Sequence, residues 1–436
     1  MRLGNKLLED AFLLLGGNVI NAGCQLAVTL LLANSLPAES WGAIAVIISY
    51  VLILETLFAT KNWQLVTSHA FAYIAKSPKR FCAHFSAFFA TELITNVLAT
   101  ILALIALPIA SELMNLPPTY FWAGVIYSFS ILFRFSGSAG AILRLSNKFL
   151  WQSAYSSTLG IARLVCVAIL LNTNIGKNPT ILLGSLAAIE SLWHIGLTSS
   201  AWIIIKRRGV LLSDLKRGIF RRLMHQDWKL VATSHSTNLV KVATRELDIL
   251  VVSAFSGPDV AGVIKVFKSI LRATLIVSDP LANAAFPHFI AFQNQTTPIT
   301  KLWSLVKKLI AFGTIIATIS LISIASLISI LWQDYTKLPM PTQSGYFLTY
   351  AVGIWIAVAF FCLPPANLSL KRYGYALKLN ALLAVIYITS LMALTPVYGA
   401  VGAGISFAIM QMIWAFAYLV SFDKLNRTAH SSTHEI

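Results

Sequence analysis

Two apolar stretches near the middle of the chain carry more charge than their surroundings allow. The first runs to Phe255 and holds Lys241, Arg245 and Asp248; the second, from Val263, holds Lys265, Lys268, Arg272 and Asp279. At the helical advance of about 100° per residue, Ser234, Asn238, Lys241, Arg245 and Asp248 fall in one stripe. Lys265, Lys268, Arg272, Asp279 and Asn283 form a second stripe, interrupted by Ile276. Cations outnumber acids in both, so the chemistry they suit is the binding of an anion. Lys241, Arg245, Lys265, Lys268 and Arg272, with Arg163 from an earlier stretch, are the candidate anion ligands. Asp248, Asp279 and Glu92 are candidates for coupling to an ion or proton.

Both stretches have the length that crosses a bilayer, about 20 apolar residues. The chain of 436 residues is 57% hydrophobic and 11% charged, with a mean hydropathy of +0.75. A soluble domain carries about 25% charged residues, so the fold class is an all-α integral membrane protein. Twelve spans are expected, near residues 11–33, 41–59, 82–107, 120–141, 152–172, 181–205, 229–255, 263–290, 306–332, 344–365, 378–395 and 400–421. The run after Arg2 and Lys6 is too long for a signal-peptide core and is expected to be an uncleaved first helix.

The formal net charge of +17 follows from topology rather than from nucleic-acid binding. Of the 33 basic residues, Lys177 and Lys337 fall on one side of the expected membrane, seven fall inside spans, and the remaining 24 fall in the loops or at the span ends of the other side. Cytoplasmic loops collect Lys and Arg, so both termini are expected in the cytoplasm. The longest connection, residues 206–228, is a basic cytoplasmic linker. It divides the chain into six spans over 1–205 and six over 229–436. An internal echo supports that division. Ala33 to Gly42 and Ala254 to Gly262 both read A-x-S-x-P, then an acid, then Gly opening the next helix. Two halves in the same orientation make parallel repeats, which place a site at their interface.

Exposing Arg134, Arg163, Lys241, Arg245 and Arg272 to lipid would cost on the order of 12–17 kcal/mol. They therefore face an interior, either as a ligand site or paired with Glu92, Glu190, Glu246, Asp248 and Asp279. Glu246 lies off the cationic stripe and is expected to be structural. In the first span Asn18, Asn21, Gln25 and Thr29 share one face. Amides there either bond a neighbouring helix or form a wall for sugar hydroxyls, with Asn238 as a further contact. Cys24, Cys82, Cys166 and Cys362 show no paired spacing and read as small apolar residues. His194 has no companion at ligand spacing, so no metal and no cofactor are expected.

Three stretches resemble one family. Asp248 to Gly262, DILVVSAFSGPDVAG, is similar to the seventh-helix segment of polysaccharide flippases, and Pro37 to Gly42 to the matching element after the first helix. Pro396 to Gly404, PVYGAVGAG, resembles that family's P-x-Y-G-A-x-G-A motif. The chain departs from the pattern at Val263-Ile264 and at Leu36. The resemblance is to Wzx-type O-antigen flippases of the multidrug/oligosaccharidyl-lipid/polysaccharide (MOP) exporter superfamily. It implies two six-helix bundles around a central cavity, as in MATE transporters. It also implies a membrane transporter, not an enzyme, which moves a polyprenyl-diphosphate-linked oligosaccharide from the cytoplasmic to the periplasmic leaflet of the inner membrane. Its partners would be the lipid bilayer, that lipid-linked glycan and other polysaccharide-assembly proteins. A drug antiporter of the same superfamily remains an alternative, although cationic drugs call for an acidic cavity. A glycan polymerase or ligase is a further alternative, although the outer loops are short for a catalytic site.

Overall fold

The computed structural model describes residues 2–60, 66, 77–146, 148–173, 175–207, 235, 239, 242–272, 274–275, 278, 289, 298–335, 344–370 and 372–433. Helices account for all regular structure among these residues. The chain forms two compact units, Met1–Leu250 and Val251–Ile436. Nine described helical stretches are long and apolar enough to cross a membrane. Six of them, from Gly16–Ser35 to Pro179–Lys206, fall on the first six expected spans, and Lys301–Ser326 and Gly345–Asn367 on the ninth and tenth. Gly374–Leu425 covers the last two expected spans together. Much of the expected seventh and eighth spans, and of the linker 206–228, lies outside the described residues.

In the first unit, α1 (Arg2–Ser35) is followed by α2 (Ala38–Phe58) and α3 (Pro78–Leu113). The fourth span is broken. Helix α4 (Phe121–Phe129) tightens into a 3-10 turn at Ser130–Phe133, and α5 (Gly137–Leu145) restarts after a non-helical link. Helices α6 (Phe149–Asn172) and α7 (Pro179–Lys206) complete the unit. Pro opens α7 at its first position, where no backbone N–H is needed, and the Asn178 side chain accepts from Thr180 N and Ile181 N. Phe85, Phe88, Ile142, Leu143, Leu197 and Ala201 form an apolar core, with Trp202 edge-on to Phe85 and Phe89.

Helices α1 and α6 pack along a seam of small residues. A Cβ on Gly160 would stand 2.8 Å from the Asn21 Cα, and one on Gly17 would stand 2.6 Å from the Ser153 carbonyl oxygen. Membrane helices gain no hydrophobic drive from each other in lipid, so close approach of this kind is what joins them.

A π-turn at Ala243–Leu247 leads into α8 (Asp248–Ser256), and α9 spans Pro258–Arg272. The second unit continues with α10 (Pro298–Tyr335), α11 (Ser344–Ala359), α12 (Leu363–Ser369) and α13 (Tyr373–Thr433). Helix α13 is interrupted at Gly399, whose φ of 55° and ψ of −134° suit glycine and few other residues. The two repeated sequence elements adopt the same local form. Helix α1 ends at Ser35 and α8 at Ser256, and a helix restarts after one intervening residue and a Pro or at the Pro itself.

The π-turn corrects one expectation. A turn closed by i→i+5 bonds holds one residue more than an α-turn, so a phase computed for a uniform helix fails across it. Arg245 is exposed whereas Asp248 is fully buried, and the two do not share one environment.

Candidate functional site

Unit 1 holds a chain of four charges drawn from three helices and the break in the fourth span. Arg134 Nη1 donates to Glu55 Oε2 at 2.6 Å, and Arg134 Nη2 donates to Glu190 Oε2. Arg163 Nη2 donates to Glu190 Oε1 at 2.6 Å, and the Tyr127 hydroxyl donates to the same oxygen at 3.0 Å. Two cations and two carboxylates balance, which allows all four to sit inside an apolar fold without a net buried charge. The side chains of Glu55, Arg134 and Glu190 are 3%, 5% and 6% exposed, whereas Arg163 is 18% exposed. Arg163 is thus the open end of the chain, and its Nη1 donates to the exposed amide of Gln25 at 2.9 Å.

The break in the fourth span positions Arg134. Backbone leaving a helix at membrane depth must find new partners, and here side chains from neighbouring helices supply them. Thr198 Oγ1 on α7 donates to the Phe135 carbonyl at 3.0 Å. The Ser138 N–H, in the first turn of α5, donates to both oxygens of Glu92 at 2.9 and 3.1 Å. Glu92, a candidate coupling acid, therefore sits as a carboxylate cap on a helix N-terminus, where negative charge is favoured.

The amides of α1 face α6. Ser156 Oγ donates to Asn18 Oδ1 at 3.2 Å, and Gly160 lies against Asn21, whose Oδ1 has no hydrogen-bond partner among the described residues. Asn18 and Gln25 thus bond the neighbouring helix and remain exposed.

In the second unit Lys265 is 9% exposed and Lys268 fully buried. The Lys268 Nζ lies 5.2 Å from the centroid of the Tyr350 ring, a cation–π distance. Tyr350 stacks on Phe407 at 4.3 Å and on Tyr346 at 5.7 Å. A snorkelling role for Lys268, in which the ammonium reaches an aqueous rim, does not fit this burial.

Of the remaining candidates, Lys241, Asn238 and Asp279 lie outside the described residues, as does the side chain of Arg272. Glu246 accepts from the Ser49 hydroxyl at 2.8 Å, in keeping with a structural acid. His194 stands edge-on to Trp193 with ring centroids 4.7 Å apart, as a packed polar residue would. No group of three metal-ligating side chains occurs among the described residues. Sequence reasoning passed over Glu55 and Tyr127. The available signal for Glu55 was a lone acid inside the apolar second span, the same signal that picked out Glu92 and Glu190.

Comparison with known proteins identifies the fold. An inward-facing multidrug resistance MATE family transporter of the MOP superfamily superposes with a TM-score of 0.61 at 14% identity, covering 94% of this chain and 96% of its own. The MATE multidrug transporter DinF-BH gives 0.62 at 14% identity over 97% and 95%. The lipid II flippase MurJ, in an inward closed conformation, gives 0.59 at 15% identity over 93% and 86%. The chain is a multi-pass membrane protein that shares the fold of these transporters and this flippase. No curated protein matches its sequence. A family model described as polysaccharide biosynthesis protein matches residues 7–293. That match spans more than half of its length, and the chain belongs to the polysaccharide biosynthesis protein family.

Proposed function

We propose that this protein flips a polyprenyl-diphosphate-linked oligosaccharide, such as an O-antigen repeat unit, from the cytoplasmic to the periplasmic leaflet of the inner membrane. The observation that carries the reading is Arg163, a membrane-embedded arginine that pairs through Nη2 with Glu190 and through Nη1 with the exposed amide of Gln25, and is the most exposed member of the charge network. An arginine fork in a poorly hydrated site replaces the hydration of a phosphate oxygen, and neighbouring amides both donate to and accept from sugar hydroxyls. Membership of a polysaccharide biosynthesis family supports a glycan, and the fold shared with a lipid II flippase supports a lipid-linked one.

In this reading Arg163, Lys241, Arg245, Lys265, Lys268 and Arg272 take up the diphosphate in turn, and Asn18, Asn21, Gln25 and Asn238 contact the glycan. Asp248 and Asp279 couple an ion or proton, and Glu92 joins them only if its capping bonds to Ser138 open. Residues 1–205 and 229–436 act as two six-helix halves joined by the basic linker 206–228, with both termini cytoplasmic. Alternating access moves the anion outward, down an inside-negative potential. Each charge gains ~2.3 kcal/mol per 100 mV, so two charges gain roughly 4–5 kcal/mol.

The test is deletion of the gene, followed by assay of lipid-linked oligosaccharide on each leaflet. Accumulation on the cytoplasmic leaflet, cleared by the wild-type gene and not by Arg163→Ala, is the expected result. An unchanged distribution in the deletion strain would refute the reading.

A further inference from the structure

An open polar pocket lies in unit 1, lined by residues other than those of the proposed diphosphate site. Its volume is about 690 Å³, and Thr119, Tyr120, Lys177, Asn178, Pro179 and Thr180 line it. Two loops on the same side of the fold build it, one between the third and fourth spans and one between the fifth and sixth. We propose that this cavity binds an acidic sugar, which rests on the flippase reading and deepens it by naming a glycan class and a place where the glycan emerges.

The walls are preorganised. Tyr120 closes a 3-10 turn begun by Pro118, its N–H donating to the Pro117 carbonyl at 2.9 Å. Lys177 ends a second 3-10 turn, Ile175–Lys177. Gly176 seats that turn against the end of α6, since a Cβ there would stand 2.9 Å from the Leu170 carbonyl carbon. Pro179 follows as the first residue of α7. Prolines and tight turns reduce the ordering cost of binding.

The chemistry presented is that of a sugar site with one charge. Asn178 commits its Oδ1 to the N–H groups of Thr180 and Ile181 at 3.0 and 3.4 Å, which leaves its amide NH₂ to donate. Thr119 and Thr180 offer hydroxyls, and Tyr120 offers an aromatic body. Lys177 is exposed and is the one charged side chain among the lining residues. A uronic acid adds a charge-assisted hydrogen bond to that ammonium, which a neutral sugar cannot. In the proposed orientation this end faces the periplasm, where Lys177 and Lys337 alone supply positive charge.

The test uses the full-length protein in lipid nanodiscs and saturation-transfer NMR with galacturonate, galactose and inorganic phosphate as probes. We expect galacturonate to bind about tenfold more tightly than galactose, the effect of one charge-assisted hydrogen bond. Lys177→Gln is expected to remove that preference and Lys177→Arg to retain it. Equal binding of the two sugars, phosphate binding as tight as galacturonate, or no binding would overturn the proposal. Flipping of lipid-linked oligosaccharide measured on the same preparations separates the two claims. Loss of flipping in the wild type with galacturonate binding intact would fail the flippase reading alone.

Discussion

Arg163 and Glu190 are joined by a hydrogen bond of 2.6 Å between Nη2 and Oε1, and the arginine is the more exposed partner. The pair lies at the boundary between a closed charge network and an open polar seam. Its carboxylate also holds Arg134, so whatever binds Arg163 competes with a group that fixes the break in the fourth span. Ligand binding and the local backbone are thereby linked through one side chain.

Charge balance in this network predicts non-additive stability. Arg134→Leu alone removes two ion pairs, leaves two carboxylates against one cation, and is expected to cost ~3–5 kcal/mol. Combining it with Glu55→Gln leaves Arg163 and Glu190 as a balanced pair and is expected to recover most of that loss. Thermal unfolding of the single and double variants in detergent checks this. Additive losses would contradict the network.

The cap on α5 gives a second prediction. Glu92→Gln keeps the size of the side chain and removes its negative charge at a helix N-terminus, which is expected to lower stability by ~1–2 kcal/mol. If Glu92 served transport alone, the same substitution would leave the melting temperature unchanged and reduce flipping.

The conformation of Gly399 gives a third. Any side chain at φ 55°, ψ −134° is strained, so Gly399→Ala is expected to cost on the order of 1–3 kcal/mol. Space is not the obstacle, since the nearest atom to a Cβ there is the Ser256 Oγ at 3.4 Å. The same contact brings the PVYGAVGAG motif against the SGPDVAG loop. A melting temperature equal to wild type would contradict backbone strain at this position.

The exposed Arg245 and the buried Lys268 are expected to separate function from folding. Arg245→Ala removes an exposed side chain, so expression and stability are expected to hold while flipping falls about tenfold, the effect of one charge-assisted hydrogen bond. Lys268→Met keeps most of the volume above Tyr350 and is expected to fold while losing flipping to a similar degree. Undiminished surface glycan in both variants would exclude them from the anion path.

The membrane class and most span positions were legible because long apolar runs and basic loops are one-dimensional signals. Individual contacts were not. Arg163 was visible as a deep cation, but its pairing with Glu190 depends on how α6 and α7 face each other. Glu92 read as a titratable acid because the break at Arg134–Ser136, which creates its capping role, has no Pro to announce it. The stripe joining Arg245 to Asp248 failed because a π-turn resets helical phase without changing composition. The enclosure of Lys268 beside Tyr350 was equally hidden, because position along a helix says nothing about which neighbours enclose a side-chain end.

The most direct measurement is translocation by the purified protein. Proteoliposomes containing a polyprenyl-diphosphate-linked oligosaccharide would be treated with an impermeant glycan-oxidising reagent, with and without an imposed membrane potential. Wild-type protein is expected to make the inner-leaflet pool reachable, faster when the potential favours outward anion movement, and Arg163→Gln to slow this at equal protein content. An inner pool that stays protected in the presence of folded wild-type protein would contradict the proposed function.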